Sequence, residues 1–252
     1  MISKNDIKYF ASLNQKKFRK QEKRFLAEGI KTVLEGIESY YPVDLILVTH
    51  EFAENNKETL KVLKRKNLRT ELINSQDFQK ISDTKNPQGI IGLFRFDKLN
   101  FSTVKELPKI LVYIDNVSDP GNLGTILRNC DWFGINEILI STNSAEFLNP
   151  KVIRASMGSV FHLTVYDDVD FNLLFELKSK GYKILCSDLE GENISELKFP
   201  DKFIITLSSE SLGPSEEIVR AADKFVTIPK FGNAESLNVA VASGIILSRI
   251  KF

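Results

Sequence analysis

Six short apolar runs, at 110–114, 137–140, 163–166, 182–186, 203–207 and 225–228, punctuate the second half of this chain. Apolar runs of this length, bounded by polar stretches, read as strands buried on both faces. The intervening stretches 122–133, 150–157, 171–180 and 216–222 have helical spacing, and a last helix starts at about Ser236 and continues to the C-terminus. Strands joined by helix-length connections run parallel, because a tight hairpin can only reverse the chain. The expectation is an α/β domain with a largely parallel sheet and helices on both faces.

The first hundred residues hold a smaller α/β unit, with strands at 45–48, 68–72 and 89–94 and a helix at 57–66. Between 96 and 108 the pattern lapses into Asp97, Asn100, Ser102, Thr103 and Pro108, the composition of a connector. Domains are therefore expected at 1–96 and 109–252, with 97–108 as a linker. With 42% hydrophobic and 27% charged residues, the chain is neither fibrous nor low-complexity. Its 34 Lys+Arg against 33 Asp+Glu give a net charge of +1, so any nucleic-acid binding must rest on local patches. No apolar run would span a bilayer, and the opening Met1-Ile2-Ser3-Lys4-Asn5-Asp6 lacks the apolar stretch of a signal peptide, so the expected location is the cytoplasm. Cys130 and Cys186 lie far apart beside only two histidines, His50 and His162. That count argues against a disulfide framework or a metal site, and for reduced core thiols.

Neither Gly-x-Gly-x-x-Gly, nor Gly-x-x-x-x-Gly-Lys-Ser/Thr, nor a Gly-x-Ser-x-Gly elbow occurs, which disfavours ordinary nucleotide-binding and hydrolase readings. Three segments stand out, each following an expected strand. In 115–134, Asp119-Pro120-Gly121-Asn122 is a turn and helix start, Leu123, Ile126, Leu127 and Cys130 form an apolar stripe, and Arg128 falls off it. An amphipathic helix with a solvated arginine has the same pattern. The second segment, Leu207-Ser208-Ser209-Glu210-Ser211-Leu212-Gly213-Pro214-Ser215, leaves a strand for a loop of small polar residues. Loops at the carboxyl ends of parallel strands are where ligands bind, although a capped turn explains it equally well. In the third, 228–244, Ser236 and Asn238 precede a helix rich in Ala, Ser and Gly, where loop backbone and helix dipole meet.

Taken in this order, the segments resemble the three motifs of the SpoU branch, also called the TrmH family, of the SPOUT methyltransferases. The resemblance includes Pro150-Lys151-Val152-Ile153-Arg154-Ala155-Ser156-Met157-Gly158-Ser159-Val160-Phe161-His162 and extends from about Lys109 to the C-terminus. Residues 1–96, closing on Pro87-Gln88-Gly89-Ile90, resemble the small substrate-binding domain, related to a ribosomal-protein fold, that precedes the catalytic domain in many members. The resemblance implies a SPOUT domain with a deep trefoil knot, a rare exception to un-knotted topology. It also implies a homodimer, S-adenosylmethionine as cofactor, and methylation of a ribose 2′-hydroxyl in structured RNA. The N-terminal domain favours ribosomal RNA; transfer RNA, or a non-catalytic RNA-binding protein retaining the fold, are the alternatives. Carried across by position, the catalytic set is Asn122, Arg128, Glu210, Ser236 and Asn238. The cofactor-binding set is Leu207, Ser208, Gly213, Ile228, Pro229 and Leu237.

Two positions depart from the family pattern, which usually has Gly at Ser208 and Met at Lys230. A serine is tolerable if its φ is negative, since a side chain costs most in left-handed backbone. Lys230 is expected to face solvent. A ribose hydroxyl is a poor nucleophile, so the site must assist loss of its proton while holding the oxygen in line. A guanidinium stays charged, which makes Arg128 a clamp on the neighbouring phosphate and a stabiliser of the forming alkoxide. Six basic residues crowd into 16–24 against Glu22 alone, and Lys61, Lys64, Arg65, Lys66 and Arg69 form a second cluster. Lys16, Lys17, Arg19, Lys20 and Arg154 are the expected RNA contacts, through phosphate and without sequence specificity.

Overall fold

The computed structural model describes residues 2–104 and 106–251. In chain order the elements are α1 (Lys4–Ser12), α2 (Lys16–Glu22), β1 (Arg24–Glu28), α3 (Ile30–Glu38), β2 (Val43–Thr49), α4 (His50–Asn55), α5 (Lys57–Arg65), β3 (Thr70–Ile73), α6 (Ser75–Ile81) and β4 (Ile90–Arg95). They continue as β5 (Ile110–Asp115), α7 (Pro120–Trp132), β6 (Glu137–Ser141), α8 (Pro150–Ala155), β7 (Thr164–Val169), α9 (Asn172–Ser179), β8 (Lys183–Asn193), β9 (Phe203–Ser208), α10 (Glu216–Ala221), β10 (Lys224–Thr227) and α11 (Val239–Lys251). Two compact units result: Met1–Asp97 with Leu148–Phe161, and Lys98–Phe147 with His162–Phe252.

In the first unit the sheet order is β1-β4-β2-β3, with β4 antiparallel to both of its neighbours and β3 parallel to β2. Alternate side chains of β2 serve two cores. Leu45 and Leu47 join Phe10 of α1 and Phe78 of α6, whereas Ile46 and Val48 join Val33 of α3 and Leu63 of α5. That double burial is why β2 reads as an unbroken apolar run. At Gly36 of α3 an added Cβ would lie 2.6 Å from the Phe94 ring and 2.9 Å from the Phe161 ring, so the helix can approach only without a side chain there.

One boundary differs from the sequence reading. Residues 148–161, assigned above to the C-terminal domain, pack with the N-terminal unit. The cause is apolar: Val152 and Ile153 of α8 are buried, α8 packs on β1, and Phe161 joins a ring cluster with Phe25, Tyr41 and Phe94. The stretch 97–108 is also more anchored than a connector. Phe101 is buried in the core of the second unit, with Val104 and Leu107 packed against the same cluster.

The second unit has a six-stranded sheet of order β10-β8-β9-β5-β6-β7, parallel throughout. Leu111 and Tyr113 of β5 join Leu174 and Leu177 of α9 and Ile218 of α10 in one core cluster. The alternate β5 residues Val112 and Ile114 are buried too, as are Leu123, Ile126, Leu127 and Cys130 of α7. Cys130 and Cys186 are buried free thiols. No helix among the described residues is long and apolar enough to cross a membrane.

Candidate active site

Strand β5 ends on Asp115, and the chain turns into α7 through Asp119, whose side chain accepts the Asn122 N–H at 2.8 Å. Pro120 at the start of α7 needs no N–H partner, so this turn sets Asn122 firmly in the first helical turn. Strand β9 delivers Glu210 on the loop that follows Ser208, and Asn238 immediately precedes α11. These residues from three distant segments meet. The Asn238 Nδ2 donates to Glu210 Oε1 at 2.7 Å and to Asn122 Oδ1 at 3.0 Å, and Asn122 Nδ2 lies 3.5 Å from Glu210 Oε1.

The main chain completes the cluster. The Val239 N–H donates to Glu210 Oε1 at 2.6 Å, while Asn238 Oδ1 accepts from the N–H groups of Ala240 and Val241. Asn238 thus caps α11, and a carboxylate sits at the positive end of that helix. A further bond fixes α11 beside α7: Asn129 Nδ2 donates to Ala240 O at 2.8 Å and to Ser243 Oγ at 2.9 Å.

Beside the cluster lies a cleft of about 340 Å³ at the carboxyl ends of β9 and β10, lined also by Ser187, Asp188 and Leu189 of β8, the strand between them. Its walls include all six positions assigned to the cofactor, Leu207, Ser208, Gly213, Ile228, Pro229 and Leu237, together with Glu210 and Ser236. Ser208 is not among the residues with positive φ, and its hydroxyl donates to Asp115 Oδ2 at 3.4 Å. The serine therefore carries no left-handed strain. Lys230 is exposed at the rim.

The other two catalytic candidates stand apart from the hydrogen-bonded cluster. Ser236 is exposed on the cleft wall, and Arg128 is exposed on α7; among the described residues the side chain of neither makes a hydrogen bond or ion pair. Arg128 lies six residues beyond Asn122, about 9 Å along the helix axis. Sequence reasoning missed Asp115 and Asn129, both of which tie site segments together. The signal for Asp115 was visible: a charge ending an otherwise apolar strand.

Among the expected RNA contacts, Lys16, Lys17 and Lys20 are exposed on α2, and Arg154 is half-buried and paired with Asp83 at 3.1 Å. Arg19 corrects the reading. It is only 1% exposed, and its Nη1 donates to Leu13 O at the end of α1. The guanidinium serves a helix-terminal carbonyl, so Arg19 is a core residue of the unit and not a phosphate contact.

The α/β fold with its parallel sheet matches the structures of SpoU-type methyltransferases. The chain matches the SpoU rRNA methylase family over residues 109–248 and an MRM3-like substrate-binding domain over residues 4–92. It is 30% identical to a 23S rRNA (guanosine(2553)-2′-O)-methyltransferase, RlmP, from Bacillus subtilis, over 97% of this chain and 95% of that protein. A solved structure from Porphyromonas gingivalis, assigned to the TrmH family of RNA methyltransferases, is 30% identical with a TM-score of 0.84, covering 99% of this chain and 98% of that one. The SpoU methyltransferase AviRb from Streptomyces viridochromogenes, solved with AdoMet, shares the fold at a TM-score of 0.86 and 21% identity, over 98% and 97% of the two chains. This chain belongs to the SpoU rRNA methylase family.

Proposed function

We propose that the chain methylates a ribose 2′-hydroxyl in structured RNA, with ribosomal RNA as the substrate class and S-adenosylmethionine as the methyl source. One observation carries the proposal: Asn122, Glu210 and Asn238, drawn from three segments, converge at a cleft whose walls hold the family's cofactor positions. The reading of ribosomal over transfer RNA draws on the N-terminal domain match and on the Bacillus subtilis relative.

The cleft suits the cofactor in size and in polarity. A volume of about 340 Å³ is within the range of small-molecule sites. Along 229–237, no hydrogen bond among the described residues ends on the main chain, which leaves those donors and acceptors for a polar ligand. Leu207, Ser208, Gly213, Ile228, Pro229 and Leu237 would hold it. When bound, S-adenosylmethionine supplies a sulfonium methyl group.

The protein's part is positioning. Glu210, on the cleft wall, holds Asn122 and Asn238 beside it, and Ser236 adds a hydroxyl to the wall. Arg128, charged and exposed, grips the RNA phosphate beside the reactive ribose and stabilises charge forming on its oxygen; the phosphate or a water takes the proton. The unstrained Ser208 supports turnover over the non-catalytic alternative.

The remaining assignments belong to the same proposal. The unit carrying 4–92 binds RNA, with the exposed Lys16, Lys17 and Lys20 supplying phosphate contacts and Arg154 available by exchange from Asp83. The deep trefoil knot is supported by the path of 228–238, which leaves the edge strand β10 and returns to Glu210 before α11 packs on α7. A homodimer is supported by Val241 and Ile245, exposed one turn apart on α11 next to the cleft, and by exposed Leu237. Free buried cysteines suit the reducing cytoplasm. Methyl transfer from labelled S-adenosylmethionine to undermodified total RNA, separated by size, tests the proposal. Label in ribosomal RNA that is lost in Arg128→Ala is expected; label in transfer RNA alone would overturn the substrate class.

A further inference from the structure

Asp115 is a carboxylate only 3% exposed, at the end of a strand flanked on both sides by other strands. A buried carboxylate is costly unless its oxygens are hydrogen-bonded. Its Oδ2 accepts the Ser215 N–H at 2.9 Å and the Ser208 hydroxyl at 3.4 Å, while its main-chain carbonyl accepts the Ser209 N–H at 3.3 Å. All three bonds land on one loop, two at its start and one at its end. Inside the loop, Gly213 N–H donates to Ser209 O at 2.8 Å, with Gly213 in left-handed backbone at φ 66°. Glu210 lies between the two attachment points.

We infer that Asp115 is a positioning residue of the cleft, joining both ends of the 208–215 loop so that its main chain faces the cofactor and Glu210 reaches Asn122 and Asn238. The inference rests on the function proposed above. It also gives Ser208 a role: its hydroxyl is spent on Asp115 across the β5–β9 pair, where the two residues stand opposite each other. Removing the Asp115 side chain frees the Ser215 end of the loop and the Ser208 hydroxyl and leaves only the Ser209 N–H on the main-chain carbonyl, while Asn122 and Asn238 keep their own helix attachments. An asparagine retains an acceptor for the Ser215 N–H; an alanine does not.

The test is cofactor affinity by calorimetry together with steady-state methyl transfer. Asp115→Ala is expected to weaken S-adenosylmethionine binding at least tenfold and to lower kcat at least tenfold. Asp115→Asn is expected to restore both to within about threefold of the unsubstituted chain. An Asp115→Ala protein that binds the cofactor normally would overturn the inference, as would an asparagine variant no better than alanine. Hydrogen exchange on the unsubstituted chain covers the case in which Asp115→Ala does not fold. The Ser215 amide, held by the Asp115 carboxylate, is expected to be at least tenfold more protected than those of 230–237, and equal protection would overturn the inference. A chain that binds no S-adenosylmethionine at all would instead remove the proposed function and leave the exchange result as the measure of Asp115.

Discussion

Glu210 Oε1 lies 2.7 Å from Asn238 Nδ2, and the same oxygen takes the first free N–H of α11 from Val239. The carboxylate therefore works twice, as an orienting group for the site and as a charge at a helix N-terminus. Glu210→Ala is expected to lower methyl transfer at least a hundredfold, in line with removal of a preorganised polar group. The lost helix-terminal interaction should cost about 1 kcal/mol of stability, read from urea unfolding. Glu210→Gln keeps an acceptor and should recover most of the stability. Equal turnover in the alanine variant would exclude Glu210 from the site.

The packing of α3 gives a prediction independent of the chemistry. Gly36→Ala would force a methyl group to within 2.6 Å of the buried Phe94 ring. Overpacking costs about 1–3 kcal/mol, against about 1 kcal/mol gained in helix propensity. A net loss of up to about 2 kcal/mol is expected in urea unfolding; a stabilised variant would mean that α3 does not approach the rings as described.

How much of this was legible beforehand depends on where polarity and periodicity agree. The central strands β5, β6, β8 and β9 of the second unit were visible because both of their faces are buried over the apolar runs, as Val112 and Ile114 are on one face of β5 and Leu111 and Tyr113 on the other. Strand β1 was missed because only Phe25, Leu26 and Ala27 are apolar and a basic run leads into it. The sheet order and the capture of 148–161 by the N-terminal unit depend on contacts distant in sequence, which local periodicity cannot report. The positions of Asn122, Glu210 and Asn238 came from the family resemblance; their meeting at one carboxylate oxygen is a property of the fold. Arg19 misled for a simple reason: a cation count does not reveal which way a short helix faces.

That orientation has consequences for RNA binding. Replacing Lys16, Lys17 and Lys20 together with Gln should weaken RNA binding and reduce the slope of log affinity against log salt by about 2–3, each phosphate contact being worth roughly 0.7–0.9. Arg19→Ala should instead cost about 1–3 kcal/mol of folding stability by leaving the Leu13 carbonyl unpaired. Unaltered salt dependence in the triple variant would remove α2 from the RNA surface.

The two cysteines should be inert in the folded protein. Burial penalises the thiolate, pushing Cys186 up from 9.0 to about 11 and raising Cys130 further, with help from the charge of Asp131. A raised folded-state value means that this contribution to stability is fully present below pH 9 and is lost as pH rises through about 11. Iodoacetamide at pH 8 should leave both thiols unmodified in native protein and alkylate both in urea. Fast native labelling of either would contradict its burial.

The central claim is ribose methylation at the Asn122–Glu210–Asn238 cluster, and the product nucleoside tests it most directly. Undermodified ribosomal RNA would be incubated with S-adenosylmethionine and the chain, digested to nucleosides and analysed by mass spectrometry, with Asn238→Ala run in parallel. The account predicts a 2′-O-methylated nucleoside with the added mass on the sugar, reduced at least fiftyfold in the variant. A methyl group on a base, or a 2′-O-methyl product undiminished in Asn238→Ala, would contradict it.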